Sequence, residues 1–167
     1  MTENIKQYFE QTKKYPTWRF IIELAWVAFF LKIFFIIIGL PVVGALGLST
    51  TTDLSFEKSF LDNQIWLTVA LITLFAAFET VTSQMFILWV GKKISKDTAF
   101  RIFFSAIIFA LLHVEPMLMF AVFPIGLILA WTYLVYRERS LWSALWVTTA
   151  IHTLHNLFAL WLVSLGN

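Results

Sequence analysis

The sequence predicts an all-α, polytopic membrane bundle of about five transmembrane helices with a cytoplasmic N-terminus. Three observations carry this. First, 60% of the 167 residues are apolar and 18% are aromatic, with mean hydropathy +0.82. That is more apolar surface than a soluble domain of this size can hide. Second, the apolar residues gather into five stretches separated by polar ones, none with the alternation of a strand. Only helices or closed barrels satisfy the backbone in lipid, so the stretches read as helices. Third, ten of the 12 basic residues fall on alternate sides of a five-span arrangement, so span count and charge parity agree.

The elements follow in order. Met1–Pro16 places Ile5, Tyr8, Phe9 and Thr12 at helical spacing among Lys and Glu. This reads as an amphipathic segment over residues 1–19 on the cytoplasmic surface, with a floppy tail as the alternative. The polar lead and the long apolar run after it argue against a cleavable signal peptide. The first stretch, Phe20–Leu46, is interrupted by Glu23 and Lys32, and Gly39, Pro41, Gly44 and Gly47 loosen its far end. Glu23 can reach the headgroups and Lys32 can partly snorkel, so both read as tolerated or paired structural charges. A surface helix to Leu31 followed by a short span from Ile33 is the other reading, with the same parity. Ser49–Asn63 is a polar outer loop whose Ser-Thr-Thr-Thr-Asp start suits a turn or a helix cap.

Ile65–Val90 is the second stretch and Gly91–Thr98 a basic inner loop. Ile102–His113 is a short third stretch. Val114–Pro116 is a tight outer connection, with Pro116 placed to begin the next helix. Met117–Tyr136 is the fourth stretch, Arg137–Ser140 an inner turn and Leu141–Leu165 the fifth stretch, leaving Asn167 outside. Trp18, Trp66, Trp89, Trp142 and Trp161 lie near span ends and read as an interfacial belt. Residues 1–167 form a single membrane domain without internal repeats, and nothing points to nucleic acid. The absence of Cys excludes disulfides and thiolate chemistry.

Within this frame three stretches carry polar groups at nearly one depth. Glu79 lies 13 residues before Lys92, His113 lies 12 after Arg101, and His152 lies 13 after Arg139. If the basic residues mark one membrane face, all three groups sit roughly 18–20 Å in, at about 1.5 Å per residue. Ionisable side chains at that depth cost about 2.5–3.5 kcal/mol each on insertion scales, so a convergent set marks a functional site. Each has a bland alternative. Glu79, with Thr82 and Ser83 one turn on, can be a protonated carboxyl bonded to another helix. His113 can be a helix-end residue favoured by the dipole. His152 and Asn156, one turn apart on a face extended by Thr148 and Thr149, can bond between helices. His155 is nearby but rotated.

Taken together, Glu79, His113, His152 and Asn156 suit hydrolysis. No Ser-His pair with an acid, Gly-x-Ser-x-Gly or His-Glu-x-x-His is present. Zinc held by Glu79, His113 and His152 is one alternative, but structural and catalytic zinc sites usually draw on more well-placed imidazoles. The more economical chemistry uses no metal or other cofactor. Glu79, assisted by His113, deprotonates a water that attacks a peptide carbonyl, and His152 and Asn156 hold the oxyanion.

Phe109-Ala-Leu-Leu-His113 and His152-Thr-Leu-His-Asn156 resemble the second and third motifs of the CAAX-protease and bacteriocin-processing (Abi) family of intramembrane glutamic endopeptidases. Gly126, Tyr133, Arg137 and Ser140-Leu141-Trp142 resemble the segment between those motifs, and the likeness covers about residues 74–160. The family's first motif is Glu-Glu-x-x-x-Arg. Here it reads Glu79-Thr80-Val81-Thr82-Ser83-Gln84, keeping the first Glu and replacing the other two charges. Those two positions are spaced to pair along an α-helix, so their joint loss reads as a coupled swap to a neutral, hydrogen-bonding pair. The resemblance implies a metal-independent endopeptidase of a bacterial cell membrane. Glu79, His113, His152 and Asn156 would be its catalytic residues, and its substrate a peptide or membrane-associated protein, such as a bacteriocin or pheromone precursor. An inactive bacteriocin-immunity or scaffold protein of the same family is the alternative, and a proton-conducting channel or transporter subunit the third reading.

Overall fold

The computed structural model describes residues 16–47 and 65–165. The expected amphipathic N-terminal segment and the polar outer loop lie outside these residues. All the described elements are helical: α1 (Thr17–Ala45), α2 (Ile65–Ile94), α3 (Thr98–Leu111), α4 (Pro116–Arg137) and α5 (Leu141–Leu165). Helices α1, α2 and α4 are long and apolar enough to cross a membrane. Helix α3 has 14 residues, about 21 Å at 1.5 Å per residue, short of a hydrocarbon core of about 30 Å. Helix α5 has the length, at 25 residues, but Thr148, Thr149, His152, His155 and Asn156 dilute its apolar character.

Each boundary has a local cause. Helix α1 runs unbroken through Glu23, Lys32 and Pro41, so no surface helix ends at Leu31. It stops where the N–H of Leu46 bonds the Val42 carbonyl and Gly47 turns to φ +68°, a conformation glycine adopts without penalty. The basic inner loop is shorter than its composition suggested. Helix α2 continues to Ile94, with Lys92 and Lys93 in its last turn where the helix dipole favours cations. Asp97 then caps α3 by accepting from the N–H of Ala99 at 3.0 Å. Pro116 opens α4, as its missing N–H allows. Between α4 and α5 the Tyr136 carbonyl accepts from Arg139 and Ser140, and the Ser140 hydroxyl accepts from the Ser143 N–H at 2.9 Å.

The short turns make α2–α5 run alternately up and down. The start of α1 packs beside the end of α4, with the Phe20 and Tyr136 rings 5.2 Å apart. Arg19, Lys92, Lys93, Arg101, Arg137 and Arg139 therefore share one end of the bundle. Helix α4 forms the core, burying Ala121, Val122, Ile125, Leu129 and Ala130 among its neighbours. Gly126 lets α3 come close: a Cβ there would meet the Ala106 Cα and the Phe109 ring, each at 3.0 Å. That contact fixes Phe109, on which two of the histidines rest.

Helix α2 is regular at its ends but not in its middle. Thr80–Phe86 forms a π-helical segment between two α-helical ones. The segment begins one residue after Glu79. It turns Thr80, Ser83 and Gln84 together toward the bundle, where all three are fully buried. The Ser83 hydroxyl bonds the Glu79 carbonyl, and the Thr82 hydroxyl reaches the Phe78 and Glu79 carbonyls at 3.0 and 3.3 Å. These side chains satisfy backbone acceptors where the α-helical ladder is interrupted. The expected polar stripe therefore exists, but two of its hydroxyls serve their own helix.

Candidate active site

The three depth-matched groups meet. The Glu79 Oε2 lies 3.3 Å from the His152 Nε2. Glu79 comes from the last α-helical residue of α2 before the π segment, and His152 from the middle of α5. Their side chains differ in access: that of His152 is 4% exposed and that of Glu79 36%. The carboxylate thus faces a space reachable from outside the bundle, while the imidazole holds it from within.

His113 completes the group from the turn after α3. Its Nδ1 lies 2.9 Å from the Phe109 carbonyl. A carbonyl can only accept, so Nδ1 carries the proton and Nε2 presents the lone pair in the neutral ring. The Phe109 ring stands edge-on to both imidazoles, with centroids 4.9 Å from His113 and 5.6 Å from His152. One buried phenyl therefore sets two histidine orientations. His113 is near enough to Glu79 for their charges to interact. The next residue, Val114, has φ +23°. A β-branched residue in that region is strained, and such strain persists where surrounding structure imposes it.

A cavity of about 400 Å³ opens beside the cluster. Lys32, His113, His152, His155 and Asn156 supply its polar lining, and apolar side chains, chiefly of α1, α4 and α5 with Ile72 and Phe109, line the rest. Asn156 thus shares the space with His113 and His152, one turn beyond His152 toward the far end. Thr148, one turn the other way, is fully buried with no partner for its hydroxyl among the described residues.

Two lining residues went unrecognised as site residues in the sequence. His155 is 1% exposed and its Nδ1 has no hydrogen-bond partner. Lys32 of α1, read as a snorkelling structural charge, lines the cavity. It shares that lining with His152 and His155. A signal was present: Lys32 lies 13 residues after Arg19, the same interval that placed Glu79 and His152. Glu23, its companion in the first stretch, is a surface charge paired to Arg19 at 2.6 Å.

The expected neutral pair of Thr80 and Gln84 does not form. Gln84 turns across to α3, where the Ser105 hydroxyl donates to its Oε1 at 3.0 Å and to the Ser83 carbonyl at 2.7 Å. The Gln84 Nε2 approaches the Ser83 Oγ at 3.4 Å, and the Thr80 hydroxyl is buried without a partner. Both side chains face the bundle, but the Gln84 carboxamide is taken by Ser105 of α3 rather than by Thr80. Among the described residues no three His, Asp or Glu side chains are grouped to hold a metal ion.

Fold and site together define a helical membrane protein that holds a carboxylate against one of several imidazoles lining a cavity. The family model described as type II CAAX prenyl endopeptidase Rce1-like matches residues 60–158, and the chain belongs to that family, which is one of proteases. The match runs from just before α2 into α5 and leaves α1 outside it. No curated protein matches the chain, and no solved structure does.

Proposed function

We propose that the protein is an intramembrane, metal-independent glutamic endopeptidase. The observation that carries this reading is the 3.3 Å approach of Glu79 to His152, which in turn lines a cavity together with His113 and Asn156. The Glu79 carboxylate takes a proton from a water while the His113 Nε2 fixes that water by accepting its other hydrogen. The hydroxide adds to the substrate carbonyl carbon, and the C=O bond becomes a C–O⁻. His152 and Asn156 donate to that oxyanion. In the resting site His152 holds Glu79 instead, so substrate binding exchanges one acceptor for another. Glu79 then delivers its proton to the amide nitrogen, the C–N bond breaks, and an acid and an amine leave.

The protein is read as a multi-pass protein of a bacterial cell membrane, with its basic end in the cytoplasm. Its substrate is read as a peptide or membrane-associated protein, a bacteriocin precursor being one example. The test uses purified protein in proteoliposomes, a library of apolar peptides and mass spectrometry of the products. Glu79→Gln should lower cleavage by at least about 100-fold while the variant still inserts and elutes as wild type. Cleavage by Glu79→Gln at the wild-type rate would sink the reading.

The unpartnered Thr80 hydroxyl and the uncharged Gln84 favour a second reading, an inactive immunity or scaffold protein of the same family. On that reading, protection of cells survives both Glu79→Ala and His113→Ala. Loss of protection at normal expression removes it.

A further inference from the structure

Lys32 is the feature that hydrolysis leaves unused. It is a cation within a membrane span, on the helix outside the family match, at the depth of Glu79 and His152. Such a charge is costly in lipid and usually faces a functional cavity. This one does face the cavity. The surroundings narrow what it can take. Across from it stand His155 and Asn156 of α5, which can offer hydrogen bonds. The walls are Phe29, Ile33 and Ile36 on its own helix, with Leu118, Val122 and Ile125 on α4. The volume of about 400 Å³ lies within the range of small-ligand sites, about 300–1,000 Å³. Among the described residues that line the space, the polar groups are the Lys32 ammonium, three imidazoles and the Asn156 carboxamide, with no Asp or Glu among them.

We propose that Lys32 anchors a carboxylate of the substrate, borne on an apolar chain that fills the cavity walled by α1, α4 and α5. Lys32 is then a specificity residue, and it sets which bond lies at Glu79 by holding one end of the substrate at a fixed distance from it. The inference rests on the proteolytic reading for the word substrate, but its binding test does not need turnover. The carboxylate can come from a free peptide C-terminus or from an Asp or Glu side chain, and the test separates the two.

The protein is the full-length Glu79→Gln variant in lipid nanodiscs. The probes are three equimolar libraries of short apolar peptides: free C-terminal acids, C-terminal amides, and amides carrying one internal Asp or Glu. Retained peptides are counted by mass spectrometry. One or both acid-bearing libraries should be retained about tenfold or more over the plain amides. Preference for the free acids assigns a chain end, and preference for the internal acids a side chain. Lys32→Met should bring the acid-to-amide ratio near one without lowering amide retention, and Lys32→Arg should keep the preference. Equal retention of acids and amides, no retention of any library, or an acid preference unchanged in Lys32→Met overturns the inference. Acid preference in a protein whose parent form cleaves nothing would sink the proteolytic reading and leave the carboxylate site standing.

Discussion

Gln84 takes the position of an arginine in the motif that the sequence resembles, and here its buried carboxamide oxygen accepts from the Ser105 hydroxyl. Ser105→Ala leaves a fully buried carboxamide oxygen without its donor, which costs about 1–3 kcal/mol. Thermal unfolding in detergent should show this as a lowered Tm. Gln84→Arg should cost more, about 3–5 kcal/mol, because Thr80 offers no counter-charge. Adding Thr80→Glu should recover part of that loss. A double variant no more stable than Gln84→Arg alone would show that the two side chains do not pair in this site. At this scale the depth of Glu79, His113 and His152 was legible from their distance to basic residues. The bonding of Thr80 and Gln84 was not, since a four-residue interval does not reveal the competing Ser105 on another helix. Lys32 was passed over for a related reason: a lone lysine in a span is explained equally well by snorkelling, and only packing shows which way it turns.

Two elements hold the site in register. Gly126 on α4 lets α3 approach until Phe109 touches both imidazoles. Gly126→Val should therefore displace the Phe109 ring and α3 together, lowering cleavage by more than tenfold. The reciprocal change Phe109→Leu should weaken activity less than Gly126→Val, since it removes the ring without parting the helices. The comparison is read from rates on one peptide substrate. Helix boundaries at this scale were largely visible in the sequence. Pro116, Ser140 and Asp97 act as the start signals that their residue types suggest. The π segment had no such signal. Threonine and serine after Glu79 looked like a polar stripe, whereas Ser83 and Thr82 mainly satisfy carbonyls of their own helix.

The whole molecule is asymmetric in charge, and its cysteine-free sequence makes that testable. Single cysteines at Gly44, where a side chain meets nothing within 4 Å, and at Arg139 report opposite ends of the bundle. A membrane-impermeant maleimide added to intact cells should label Gly44→Cys and leave Arg139→Cys unlabelled until the cells are opened. The reverse pattern would invert the proposed orientation. The all-helical architecture followed from composition and parity. The count of spans did not follow as simply, because α3 is too short to cross alone and α5 trades apolar length for the groups of the site.

Helix α2 joins these scales. Its first half, Ile65–Glu79, buries only Thr68 and Ala76, yet it delivers the carboxylate. At 30 residues it is about 45 Å long, more than a bilayer core needs, so it must lean or protrude. A change in that lean would move Glu79 along the bundle relative to His152 on α5. On the proposed proteolytic reading, cleavage should therefore vary with lipid chain length, because a thicker or thinner leaflet would shift Glu79 against the helices that carry the histidines.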